Sequence, residues 1–210
     1  MDHSEHAASV FNKYADTYEE RFMDVSMYSK SLEYLINNLA PTQLKVMDVA
    51  CGPANISKYL LDRNSALEIA GIDLSENMIS LAKKNIPTGN FQLKDARDIL
   101  SLNLKFDLII SGFCFPYLTK EEVIQFISDA SKCLNAGGYL YLSTMEKPYS
   151  TSGLQKGSKG DEIMMHFHEE EYLSATMNAN GFSTIFIDRV ITTNTVGEEV
   201  VDLCMVGRFN

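Results

Sequence analysis

The sequence predicts an α/β protein organised around a parallel sheet, on three observations. Residues 44–78 read as a buried strand, a tight glycine turn, a helix and a second strand ending in aspartate. Short apolar runs then alternate with segments of helical period as far as Thr144, the order that builds a sheet flanked by helices. At 210 residues, 45% hydrophobic and 22% charged, the chain matches one soluble domain (1–210) with an ordinary core.

The first elements in chain order are helical. Val10, Tyr14, Tyr18 and Phe22 recur every four residues between Ser4 and Met23, which makes one face of an amphipathic helix. Ser26 opens a second helix that turns Leu32, Leu35, Ile36 and Leu39 inward. The first strand follows as Lys45-Val46-Met47-Asp48-Val49, an apolar run with a single acid, and Ala50-Cys51-Gly52-Pro53-Ala54 turns at its end. Gly52 tolerates φ > 0 and has no Cβ, so a ligand can approach the backbone, and the next helix aims free N–H groups at the same place. The second strand, Leu67 to Ile72, ends in Asp73, where a Rossmann-type site puts an acid on ribose hydroxyls.

Ser75 and Glu76 cap a helix to about Asn85, Asn90 to Lys94 forms a third strand, and Asp95-Ala96-Arg97-Asp98 turns. Phe106 to Gly112 is the fourth strand, with Phe113-Cys114-Phe115-Pro116-Tyr117-Leu118 at its carboxyl end. Thr119 and Glu122 form a capping box for a helix through Cys133, and Gly137-Gly138 leads into a fifth strand, Tyr139 to Thr144. Lys147 to Asp161 lacks apolar periodicity and reads as a loop; its Lys147, Lys156 and Lys159 either attract an anionic substrate or are simply solvated. A helix from Glu169 to Asn180, closed by Gly181, and two alternating strands, 182–192 and 199–209, complete the chain as a hairpin.

Charge and glycine spacing narrow the ribose ligand. Aligning Gly52 with the second glycine of GxGxxG leaves Ala50 and Asn55 at the other two positions, a poor match to a dinucleotide site. A carboxylate at Asp48 would repel a pyrophosphate and attract a sulfonium. S-adenosylmethionine is a ribose ligand with that charge.

Val46-Met47-Asp48-Val49-Ala50-Cys51-Gly52-Pro53-Ala54 resembles the first motif of the class I S-adenosylmethionine-dependent methyltransferases, an acid followed by small-x-Gly-x-small. Gly71 to Met78 resembles their second motif, Lys94-Asp95-Ala96 their third and Phe106 to Ser111 their fourth; Ala50 stands where glycine is commoner. The resemblance implies a three-layer sandwich with a mostly parallel seven-stranded sheet, an antiparallel last strand and a helical lid. Residues 1–43 would form the lid, 44–145 the cofactor core, and 146–210 a loop, a helix and the hairpin. Cofactor contacts are implied for Asp48, Ala50, Cys51, Gly52, Asp73, Leu74, Asp95, Ala96 and Ser111, with Asp95 near the adenine amino group. Asp73 and Asp95 read equally as a helix cap and a turn former.

Phe11 to Tyr18 is similar to the lids of small-molecule methyltransferases, so Tyr14, Tyr18 and Tyr28 are either acceptor contacts or core packing. Phe115-Pro116-Tyr117 lacks the acid or amide that amino-group methyltransferases of DNA and protein often carry there, which favours a small-molecule acceptor touching Phe115 and Tyr117. In the same family the segment before the last helix often lines the acceptor pocket. His166 is therefore an acceptor contact and, with Tyr117, a candidate base, unless its ring is bonded to backbone. His166 and His168 share one face, but no third ligand has metal spacing, so no metal is expected.

A net charge of −10 and a pI of about 4.8 argue against nucleic acid and anionic membranes as partners. Cys51, Cys114, Cys133 and Cys204 show no CxxC pairing and read as free thiols of a reducing compartment. The stretch MDHSEHAASVF lacks the basic and apolar regions of a signal peptide, and no run reaches membrane-spanning length, so a cytoplasmic protein is expected. Two other readings share these motifs: a cofactor-binding module without catalysis, and a nicotinamide-dependent reductase. Oligomeric state is not legible.

Overall fold

A computed structural model describes residues 2–40, 42, 44–157, 159–193 and 197–210. Its helices are α1 (His3–Lys13), α2 (Ala15–Phe22), α3 (Ser29–Asn38), α4 (Asn55–Leu61), α5 (Glu76–Asn85), α6 (Lys120–Cys133) and α7 (Glu170–Ala179). Its strands are β1 (Leu44–Val49), β2 (Leu67–Asp73), β3 (Asn90–Leu93), β4 (Phe106–Gly112), β5 (Leu134–Met145), β6 (Gly153–Lys156), β7 (Glu162–Met165), β8 (Phe182–Thr193) and β9 (Glu199–Phe209).

Seven strands form one sheet in the order β3-β2-β1-β4-β5-β9-β8. The first five run parallel, and β9 lies antiparallel between β5 and β8. The sheet is buried on both faces, so its central strands are apolar throughout rather than alternating: Val46, Val49, Leu108, Ile109 and Ile110 have no exposure. Phe126, Ile127, Leu173 and Met177 of α6 and α7 pack on one face. Leu32, Leu35, Leu60 and Ile79 of α3, α4 and α5 pack on the other. Strand order reverses between β1 and β4, the switch point where open α/β sheets leave a crevice at the strands' carboxyl ends.

Local signals account for the helix starts. The Ser75 hydroxyl accepts from Met78 N–H at 3.2 Å, and Thr119 and Glu122 exchange the two bonds of a capping box at 3.2 and 2.8 Å. Each cap contributes about 1 kcal/mol.

Two stretches differ from the periodicity reading. The single N-terminal helix breaks at Tyr14, whose φ of −116° and ψ of 23° are not helical. The break rotates α2 against α1, so that Phe11 and Tyr18, rather than one four-residue stripe, pack with Ala15, Met78 and Leu81. The segment from Lys147 to Asp161 is not a loop throughout: β6 pairs antiparallel with β7 from Gly153↔Met165 to Lys156↔Glu162. Backbone pairing holds this ribbon while Leu154 remains 64% exposed, which is why no apolar period announces it. The His6 imidazole Nε2 sits 2.8 Å from the Glu162 carbonyl and joins α1 to β7.

All four cysteines are buried and free. Among the described residues no helix is long and apolar enough to cross a membrane.

Candidate functional site

Beyond β1 the backbone enters the left-handed region three times in five residues, at Ala50 (φ 54°), Gly52 (φ 52°) and Ala54 (φ 63°). This coil turns backbone N–H groups toward the end of β2. Gly52 N–H donates to Asp73 Oδ2 at 2.9 Å, and Ser75 N–H donates to Oδ1 at 2.8 Å. Burial raises the Asp73 pKa while those amide bonds pull it back. A Cβ built on Gly52 would meet nothing nearer than Tyr18 Cε1 at 3.8 Å. Glycine at 52 therefore relieves strain at this φ rather than a steric clash, and the space above it opens on the crevice.

The neighbouring strand ends the same way. Phe113, just past β4, has φ 53°, donates its N–H to the Ser143 carbonyl at 3.0 Å and packs its ring on Tyr28 at 5.3 Å between centroids. A bulky residue in this region costs about 1–2 kcal/mol and is a recurrent sign of a functional turn.

A cavity of about 750 Å³, open to solvent at its mouth, lies above these turns. Ala50, Gly52, Asp73, Leu74, Asp95 and Ala96 line it from the sheet, and Phe11 and Tyr18 line it from the helices. Tyr117 completes the far wall. The other three expected cofactor residues lie beneath. Asp48 is buried in β1, where Ser57 Oγ donates to Oδ2 at 2.6 Å; burial, with Asp73 nearby, pushes its carboxyl up to about 7. Cys51 and Ser111 are buried as well, and burial lifts the Cys51 thiol far above its usual range. The apolar interior that makes β1 and β4 legible as strands also hides these side chains.

Asp95 reaches the cavity with its carboxylate already engaged. Arg97 binds it through Nε at 3.0 Å and Nη2 at 2.6 Å, then reaches Glu122 at 2.8 Å and Asp2 at 2.7 Å. One guanidinium thus ties the turn after β3 to the first turn of α6 and the cap of α1. Sequence reasoning missed Arg97, because its partners at positions 2 and 122 share no local pattern with it.

The expected acceptor residues divide. Tyr18 and Tyr117 face the cavity, and Phe11 contacts both edge-on, at 5.7 and 5.1 Å. Burial pushes the Tyr18 hydroxyl up to about 12 and raises Tyr117 further, so both are neutral donors at pH 7. The remaining four do not line this cavity. Tyr14 donates to Asp161 at 2.7 Å, Tyr28 donates to Asp202 at 2.8 Å, and Phe115 is fully buried against Phe126. His166 is only 5% exposed and lies behind the Phe115–Tyr117 turn, with its backbone N–H on the Pro116 carbonyl at 2.8 Å. Its Nδ1 is 3.5 Å from the Tyr149 hydroxyl, and burial lowers its pKa.

That turn has all three of its carbonyls satisfied, two from the segment after β7 and one from α1. His168 Nε2–H donates to Phe115, His166 N–H to Pro116 and Ser4 Oγ to Tyr117, each at 2.8 Å. Donation from Nε2 makes Nδ1 the acceptor of the Tyr172 hydroxyl, so His168 is neutral; burial brings its pKa down to about 4. Ala7 and Ala8 on the cavity were also missed, while Phe11 opens the stretch expected as a lid without being an expected contact. Two small residues followed one turn later by an aromatic mark the inward face of α1, a pattern obscured by the longer tyrosine stripe. Among the described residues no group of three or more His, Cys, Asp or Glu is placed to hold a metal ion.

The strand order, the left-handed glycine turn after β1 and the acid closing β2 define the Rossmann-like fold of class I methyltransferases. Residues 46–138 match the methyltransferase domain family, and the chain has the Rossmann-like fold of the class I methyltransferases. The demethylmenaquinone methyltransferase of Thermotoga maritima is 30% identical over 148 residues, covering 68% of this chain and 63% of that protein. The putative methyltransferase YqeM of Bacillus subtilis is 29% identical over 136 residues, covering 62% and 53%. The chain spans about half the length of several of the curated relatives it matches. The structure of magnesium protoporphyrin IX methyltransferase from Synechocystis, solved with S-adenosylmethionine, superposes with a TM-score of 0.71 at 17% identity, covering 100% of this chain and 98% of that one. That likeness is one of fold.

Proposed function

We propose that the chain transfers the methyl group of S-adenosylmethionine to a small-molecule acceptor by in-line displacement. The observation that carries this reading is the single cavity that gathers Ala50, Gly52, Asp73, Leu74, Asp95 and Ala96. The residues fit the cofactor. Asp73 would accept from the ribose hydroxyls, its carboxylate oriented by Gly52 and Ser75 N–H. Leu74 and Ala96 offer apolar surface to the adenine, and the open backbone over Gly52 admits the amino-acid portion. When bound, the cofactor supplies a methyl group already activated by positive sulfur. Phe11, Tyr18 and Tyr117 would exclude water and align the acceptor, and orientation alone supplies up to roughly 7–11 kcal/mol. A positive charge held above β1 would draw Asp48 toward its ionised form. Four buried free thiols support a reducing, cytoplasmic setting.

A second reading, a cofactor-binding module without transfer, is favoured by one observation: Phe115 and His166 are packed away rather than open to an acceptor. Calorimetric titration with S-adenosylmethionine, S-adenosylhomocysteine and NADH tests the cofactor. Binding of the first two alone is expected, and binding of NADH alone overturns the reading. Transfer of labelled methyl to a panel of small molecules then separates enzyme from binder, and binding without any transfer favours the module.

A further inference from the structure

A second cavity, about 560 Å³ and also open to solvent, lies between α1, α2 and Gly157, Lys159, Asp161 and Ile163. Phe11, Tyr18 and Phe22 form its apolar wall, with Tyr18 and Phe22 rings 4.7 Å apart. Its rim carries Arg21 and Lys159, and among the described residues neither has a carboxylate within ion-pair distance. The Arg21 guanidinium rests over the Phe22 ring at 5.3 Å. The acid on the rim, Asp161, is already neutralised by Lys13 at 3.1 Å and the Tyr14 hydroxyl at 2.7 Å. In a chain of net charge −10, two unpaired cations beside a wall of rings make a local site for an anion with an apolar body.

We infer that this cavity is a second binding site, for an organic anion, with the ligand's ring-sized apolar part against Phe11, Tyr18 and Phe22 and its charged group on Arg21 and Lys159. Phe11 and Tyr18 belong to both cavities, so an occupant presses on the opposite side of the two rings that close over the first cavity. Recognition of the anion does not depend on the methyl-transfer reading.

The test is calorimetric titration of the whole chain with 2-naphthoate, 2-naphthyl phosphate and the neutral 2-naphthalenemethanol, with S-adenosylhomocysteine titrated into the same preparations. The two anions distinguish a carboxylate from a phosphate preference, and the alcohol reports the apolar wall alone. At least one anion is expected to bind about five- to tenfold more tightly than the alcohol, as two solvent-exposed charge contacts allow, and to weaken as salt rises. Arg21→Gln with Lys159→Gln should remove that advantage while leaving alcohol and S-adenosylhomocysteine affinities unchanged. Failure of both anions to bind, or equal binding of anions and alcohol, or an unaffected double variant, overturns the inference. If S-adenosylhomocysteine alone fails to bind, the methyl-transfer reading falls and the anion site stands.

Discussion

The floor and the roof of the cofactor crevice are held by different kinds of interaction. Its floor is backbone: left-handed residues at Ala50, Gly52 and Phe113, and two amide N–H groups on the Asp73 carboxylate. Its roof is side chain: Arg97 to Asp2, Ser4 to the Tyr117 carbonyl, and Asn12 Oδ1 accepting from Ser75 Oγ and Asn77 N–H at 2.9 Å each. Backbone contacts between adjacent turns hold whenever the sheet is folded. The roof's bonds span long sequence separations and some are solvent-exposed, so each contributes little alone. A floor substitution should therefore act on binding strongly and directly, a roof substitution modestly.

The largest effect belongs to the floor. Asp73→Ala removes the proposed ribose acceptor and strips a partner from the Gly52 and Ser75 amides, and S-adenosylhomocysteine affinity should fall roughly a hundredfold, as loss of charge-assisted bonds implies. Unchanged affinity in a calorimetric titration would break the assignment of Asp73 and with it the contrast.

Asp48 tests the layer below. Its folded pKa near 7 lies above the usual carboxylate value of 3.8, so the folded chain binds more protons than the unfolded one between those limits. Stability from this group is thus lost as pH rises from about 4 to about 7 and stays low above that. His168, with a folded pKa near 4, acts in the opposite sense, losing stability as pH falls from about 6.5 toward 4. Comparing Asp48→Asn with the parent cancels that contribution. The variant keeps an acceptor for Ser57 and should gain roughly 2 kcal/mol at pH 8 over the parent, and little at pH 4, in urea unfolding. A gain independent of pH would refute the raised pKa.

On the roof, Phe11→Ala removes a ring that meets both Tyr18 and Tyr117 and should weaken S-adenosylhomocysteine about tenfold. A loss as large as that of Asp73→Ala would mean that the roof, not the floor, dominates binding. His166→Ala retains the backbone bond to Pro116, so cofactor affinity should stay within about threefold. A fall in turnover alone would then place His166 in the chemistry, and equal loss of both would make it structural.

What was legible follows the same division. Gly52, Asp73, Ser75 and Thr119 act on neighbours within a few residues or across one βαβ unit, so residue type and spacing announce them. The break at Tyr14 left no such mark, because the four-residue stripe from Val10 to Phe22 runs straight through it. Arg97 takes its role from acids 95 residues before it and 25 after it. His166 has the right sequence neighbourhood for an acceptor contact, yet β7 delivers it to the back of the Phe115–Tyr117 turn. Residue type does not encode which side of a turn a strand will approach. The β6–β7 ribbon escaped for a related reason, since it is stabilised by backbone pairing and docking on α1 rather than by a buried face.

The smallest effect isolates the floor's own strain. Ala50 holds φ 54° where its Cβ crowds the carbonyl, a cost of about 1–2 kcal/mol that glycine avoids. Glycine in turn gives the unfolded chain about 0.4–1 kcal/mol more conformational entropy to lose. The difference predicts that Ala50→Gly stabilises the chain by about 0.5 kcal/mol, read as a small rise in the urea midpoint with no change in slope. Partly buried against the core cluster that includes Met47, the Ala50 methyl also makes contacts that glycine would forfeit. A fall in the midpoint would therefore mean that packing outweighs strain at this turn, and that the floor, like the roof, depends on side chains after all.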